Sequence, residues 1–207
     1  VMGVLSAFSK GAPVRVIGAE TTGAADLYWY VKADSPIKTL KDTNGRNLPK
    51  RTYRDRLTLG SGNDRIELHY LGRAHTSGDT FVVFPAHRAM HTGDAFPNKG
   101  VPIMDGNNGG SGVEYADTLA KAAALPNIDT VITGHNATTL TVADIQMYSE
   151  FNRAFVDAVR AARKSGQTVV DIVKTWRVPE RFAKWGATQP NETRLRANAQ
   201  VVWDELK

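Results

Sequence analysis

Four consecutive apolar residues, Phe81-Val82-Val83-Phe84, closed at once by Pro85, constrain this chain more than any other stretch. A run that short, β-branched and apolar on both alternations predicts a strand covered on both faces rather than a surface helix. Pro85-Ala86-His87 turns the chain back into Arg88–Thr92, so the first element expected is an antiparallel hairpin. Ser111 with Glu114 three residues on is a helix-start signal, and the helix it opens is predicted to run to about Ala124. Pro126-Asn127 stops it, and Thr130-Val131-Ile132-Thr133 reads as the next strand. A strand–helix–strand connection of that length makes the two strands parallel. The fold class predicted is therefore layered α/β.

The flanking segments fit the same layers. Thr52–Leu59 is strand-like, and Arg65–Leu71 alternates Ile66, Leu68 and Tyr70 against Arg65, Glu67 and His69. That alternation assigns the polar set, His69 included, to solvent. Beyond residue 140 the pattern is helical. Ile145, Tyr148, Phe151, Phe155, Val159 and Ala162 make one apolar face, with Trp176, Trp185 and Trp203 in later helices expected to pack in the core or at an interface.

The topology carries a chemical expectation. His75 and Asp79 precede the first hairpin strand and Asp94 follows the second, so His75 and Asp94 share one end of the sheet. His87, in the turn, lies at the other end, roughly 17–20 Å away at ~3.3 Å per residue. Asp94 and His135 each follow the end of their strand, which brings both to the carboxyl edge where α/β sheets place ligands. His75, Asp94 and His135 thus converge as two imidazoles and a carboxylate, a donor set for zinc, manganese or iron. The chain has no cysteine, so any metal must rely on His and carboxylate, and thiolate and disulfide chemistry are excluded. A net charge of +5 leans towards anionic ligands, but the basic residues are scattered without an aromatic-interleaved stripe, so nucleic acid is not expected as a partner.

Two resemblances sharpen this. The segment GAPVRVIGAETTGAADLYWYVKADSPIKTLKDTNG resembles periplasmic substrate-binding proteins of ABC importers of the sulfonate, nitrate and thiamine-precursor type, over about residues 1–45. The strings GRAHTSGDTFVVFP, MHTGDAF and VITGH resemble the metallo-β-lactamase-fold hydrolases, over about residues 51–165. The second resemblance implies that His75 holds a first metal, Asp94 bridges two metals and His135 holds the second. The HxHxDH motif that supplies the family's other ligands is absent from the 207 residues. The two resemblances together imply half of an αββα sandwich. Its expected parts are a binding-protein-like fragment (1–46), a metallo-β-lactamase-like region (47–165) and a C-terminal helical extension (166–207).

The function expected is metal-dependent hydrolysis of an activated ester: a phosphodiester, phosphotriester, lactone or aryl ester. One divalent ion per chain, zinc before manganese or iron, would lower the pKa of its water from 15.7 towards about 7. Asp94 is the expected catalytic residue. Asp79 is expected to hold the loop behind His75, and His91 to be a core or supporting histidine or else a substitute ligand. Asn107 and Asn108 are candidates to line the substrate mouth. The alternatives are a non-catalytic module binding a small anion or solute, and an inactive relic. A half sandwich leaves an apolar sheet face and an open edge, so a homodimer is expected to cover them. No run approaches the ~20 apolar residues of a membrane span, and VMGVLSAFSK lacks the arrangement of a secretory signal, so the expectation is a cytoplasmic protein without a membrane partner.

Overall fold

The computed structural model describes residues 53–207. Five strands form one sheet in the order β1 (Arg56–Leu59), β2 (Ile66–His69), β3 (Phe81–Phe84), β4 (Ala89–His91) and β5 (Thr130–Ile132). The first three pairings are antiparallel and β4 pairs with β5 in parallel, with Met90 opposite Val131. The parallel step is made by the crossover helix α1 (Gly112–Ala123), as the connection rule requires. Four further helices follow: α2 (Val142–Lys164), α3 (Val169–Thr175), α4 (Glu180–Trp185) and α5 (Glu192–Glu205). The architecture is mixed α/β, as the alternation of strands and helices predicts.

Four of the five α-helices start on a side-chain cap. The Ser111 hydroxyl accepts the Glu114 N–H at 3.0 Å and so starts α1. Thr141 with Asp144 and Thr168 with Asp171 form reciprocal capping boxes for α2 and α3. The apolar face of α2 is buried: its Ile145, Tyr148, Phe151, Phe155 and Val159 are all at most 2% exposed.

 Phe151 packs its ring against Tyr148, Trp176 and Phe182, with centroids 5.1–6.4 Å apart, and this aromatic cluster joins α2 to the later helices.

One face of β2 departs from the expectation. Glu67 and His69 are the buried residues of that strand, at 8% and 9% exposed, whereas Ile66 and Leu68 are only half-buried. Register gives the reason. Glu67 lies opposite Val83 and His69 opposite Phe81, on the face that continues into the core through Met90 and Val131. The two polar groups survive there because they satisfy each other: His69 Nε2 is 3.1 Å from Glu67 Oε2, and Arg56 and Arg65 reach Glu67 Oε1 at 2.6 and 3.3 Å. His69 is therefore a buried partner of Glu67 and not a surface residue.

Asp144 gives a measurable consequence of this packing. Its carboxylate accepts from Trp185 Nε1 (2.9 Å) and from the Thr141 N–H and hydroxyl, and Lys99 Nζ stands 3.0 Å away. Burial alone would push the carboxyl up, but these partners outweigh it and bring its pKa from 3.8 down to about 2. A depressed carboxylate stabilises the fold above its unfolded pKa and loses that contribution as pH falls through the folded one. Asp144→Asn is therefore expected to lower stability by on the order of 2 kcal/mol at pH 6. Urea unfolding of both proteins at stepwise lower pH should show the difference closing between about pH 4 and pH 2. A difference that stays constant over that window would mean the charge is not what stabilises.

Candidate active site

Three backbone seams bring the candidate residues to one end of the sheet. The β4 end is tied to the β5 end: Thr92 N–H donates to Ile132 O (2.9 Å), Gly134 N–H to Gly93 O (3.2 Å) and His135 N–H to Pro97 O (2.8 Å). Between them, the turn Gly93–Ala95 presents Asp94, and the buried Tyr115 hydroxyl holds the Asp94 carbonyl at 3.1 Å. Gly93 supplies the positive φ of 50° that this turn needs. On the other side, Asp105 N–H donates to His75 O (2.9 Å), and Ser111 N–H to Ala74 O (3.0 Å), so the loop after residue 104 lies along the segment carrying His75.

The side chains then meet around one carboxylate. His75 Nε2 stands 3.6 Å from Asp94 Oδ2, and His135 Nε2 stands 2.9 Å from Asp94 Oδ1. His75 Nδ1 is 2.8 Å from Ile103 O, which can only accept, so the ring carries a proton on Nδ1 and turns Nε2 towards Asp94. Asp94 Oδ1 is buried yet has no hydrogen-bond partner, although His135 Nε2 is close. The approach therefore lacks hydrogen-bond geometry. A buried carboxylate oxygen left in that condition is costly unless the site has another use for it. The cleft around these three residues has a volume of about 160 Å³ and is walled by Pro97, Asn98, Val101, Ile103 and Arg194.

The remaining candidates fall into place around it. Asp79 accepts the Thr76 N–H (2.8 Å) and the Thr76 hydroxyl (3.2 Å), closing a tight turn immediately after His75. Burial pushes its carboxyl up, against the pull of those hydrogen bonds and of His75. His91 accepts the Gly93 N–H on Nδ1 at 3.2 Å, and burial lowers its pKa against the nearby Asp94 charge, so it shapes the turn that carries Asp94. Asn107 and Asn108 do not line the cleft. Asn108 instead binds Asp105, donating its amide to Oδ2 at 2.7 Å, so the Gly-rich loop is a scaffold rather than a mouth. Arg194, which no sequence signal marked, does line it. His87 is exposed in the turn at the opposite end of the sheet.

The donor residues can be compared with the metal expectation directly. Among the described residues, no group of three or more His, Cys, Asp or Glu side chains is arranged to hold one metal ion. Each histidine faces a different oxygen of Asp94. The donor chemistry, the orphaned Asp94 Oδ1 and the Nδ1-anchored ring of His75 fit a divalent metal at this carboxylate.

Comparison with known proteins agrees with the fold. Two solved structures of the sec-alkylsulfatase Pisa1, a double mutant and the stereoselective inverting enzyme from Pseudomonas sp., are similar at TM-scores of 0.59 and 0.57 with 12% and 13% identity. They match over 75% and 74% of this chain, which spans about a quarter (26%) of the length of each. The DIM-1 metallo-beta-lactamase is similar at a TM-score of 0.42 and 18% identity, over 49% of this chain and 46% of that one. No protein of curated function matches the sequence significantly. The sequence profile of the Metallo-beta-lactamase superfamily matches residues 3–135. That match runs through the segment read as binding-protein-like, whose resemblance is not supported; short strand, helix and turn strings are common to many α/β folds. Residues 1–45 otherwise lie outside the described residues. Since the profile covers well over half the chain and ends on His135, in the cleft that also holds His75 and Asp94, the chain belongs to the metallo-beta-lactamase superfamily.

Proposed function

We propose that the chain contributes the Asp94 side of a metal-dependent hydrolase site acting on activated esters. The observation that carries this reading is the juxtaposition of His75 and His135 with opposite oxygens of one partly buried carboxylate. The superfamily is hydrolytic and typically uses divalent metals, zinc above all. His75 with Asp94 Oδ2, and His135 with Asp94 Oδ1, are the residues that would hold such ions. A divalent ion there supplies Lewis acidity, which makes water a competent nucleophile at neutral pH and steadies charge on the ester oxygen.

The chain's own residues do the positioning. Ile103 O fixes the His75 tautomer, Tyr115 and Thr92 fix the turn that aims Asp94, and Pro97 O fixes the backbone of His135. The Asp94 carboxylate faces the cleft, where it can orient water towards the ester. Val101 and Ile103 give the small cleft an apolar wall against which an ester's alkyl or aryl part can rest. The alkylsulfatase activity of the similar Pisa1 structures extends the candidate substrates to sulfate esters beside phosphoesters, lactones and aryl esters.

Elemental analysis of the purified protein beside a panel of chromogenic esters tests the reading, using the wild type and His135→Ala. Bound divalent metal and turnover are expected in the wild type, with both reduced in the variant and turnover lost on chelation. A metal-free wild type, or a variant with unchanged turnover, would sink it.

A further inference from the structure

Arg194 projects into the cleft from a helix outside the residues matched by the superfamily profile. It occupies the first turn of α5, whose N-cap Asn191 accepts the Arg194 N–H at 2.8 Å. A cation near a helix N-terminus opposes the helix dipole, so the fold gains nothing electrostatically from it there. Its guanidinium makes no ion pair or hydrogen bond among the described residues, although it is half-buried. The other half-buried or bridging arginines behave differently: Arg73 is held by Glu114, and Arg163 donates to Trp203 O.

The helix is also locked in register with the cleft wall. Asn198, one turn after Arg194 and on the same helix face, donates to Pro102 O (2.7 Å) and accepts the Met104 N–H (3.2 Å). Between those two contacts lies Ile103, whose carbonyl anchors His75. One buried amide thus sets the position of Arg194 relative to His75, and the helix is held from behind by the buried Leu195, Ala199 and Val202.

We propose that Arg194 is a specificity-determining residue that binds the oxyanion of a phosphate or sulfate ester in this cleft; the identity of the site as hydrolytic rests on the function proposed above. A guanidinium pairs two parallel N–H donors with two oxygens of a tetrahedral anion, and it carries its charge at every working pH. Loss of one charge-assisted pairing of this kind weakens binding by about 10- to 100-fold.

The test uses the full chain with Arg194→Gln, Arg194→Lys and, as a control on the same helix, the exposed Arg196→Gln. Calorimetric titration with inorganic phosphate and inorganic sulfate should show binding in the wild type and in Arg196→Gln. Affinity for the preferred anion should fall about 10- to 100-fold in Arg194→Gln, with Arg194→Lys between the two. The stronger of the two anions identifies the ester class. In parallel, p-nitrophenyl phosphate and p-nitrophenyl sulfate should show a raised KM in Arg194→Gln, while neutral p-nitrophenyl acetate is unaffected. No anion binding in the wild type, equal affinity in Arg194→Gln, or an equal loss on the neutral ester would overturn the proposal. Because the titration reads no turnover, a wild type that binds anions through Arg194 but hydrolyses nothing would sink the hydrolase reading and leave this one standing.

Discussion

Asp94→Asn is expected to reduce kcat by about 10³-fold or more on every ester the wild type turns over, while leaving the fold as stable as before or slightly more so. The substitution keeps the shape of the side chain and removes its charge. In the wild type both oxygens are approached by imidazole nitrogens, at 2.9 and 3.6 Å, and both carry the negative charge a cation needs. Asparagine replaces one of those oxygens with an uncharged amide N–H₂, so it cannot present two anionic oxygens to ions beside His75 and His135. Stability moves the other way because Oδ1 is buried without a hydrogen bond in the native fold, a condition kept for function at the expense of the folded state. The combined readout is decisive: kcat across the ester panel, and urea unfolding of the same preparations. Turnover within tenfold of wild type would remove Asp94 from the chemistry. A large loss of stability would make it a structural residue instead.

The parts of the fold that were legible in the sequence are those written by local chemistry. Phe81–Phe84 with Pro85 marks a strand and its turn, and Ser111 with Glu114 marks a helix start, without reference to anything distant. The handed crossover then converts those local signals into a parallel β4–β5 pair, which is why the convergence of Asp94 and His135 could be anticipated. What stayed hidden depends on partners far away in sequence. Alternation in β2 shows two faces but not which one meets the helices, and the inward face carries Glu67 and His69 because Arg56 and Arg65 complete their pairing. Arg194 was invisible for the same reason: α5 is docked by the Asn198 amide on residues near 103, a contact no periodicity reveals. The division of the two histidines between opposite oxygens of Asp94 is a matter of ångströms that strand order cannot supply.

Gly110→Ala is expected to disable the site from a distance, cutting activity by about 10²-fold through displacement of His75 and lowering stability by roughly 1–3 kcal/mol. A Cβ at this position would lie 2.2 Å from His75 O and 2.9 Å from Asp105 O. Both are backbone atoms, so no side chain can swing aside to relieve the clash. They are also engaged: Asp105 O accepts the Gly110 N–H at 2.8 Å, and His75 O accepts the Asp105 N–H at 2.9 Å. The neighbouring Ser77 N–H to Asn108 O and Ser111 N–H to Ala74 O bonds, each 3.0 Å, pin the same two segments on either side. The methyl group must therefore pry the loop away from residues 74–77, and the His75 ring moves with its backbone while Ile103 O and Asp94 stay behind. Gly62, beside which an added Cβ meets nothing within 4 Å, is the matched control, although its φ of +57° carries strain of its own. The measurement is kcat/KM with the urea midpoint for Gly110→Ala and Gly62→Ala. If Gly110→Ala lost only stability, in step with Gly62→Ala, the loop would be a passive strap; a loss of activity well beyond the unfolded fraction is the signature of a loop that positions His75.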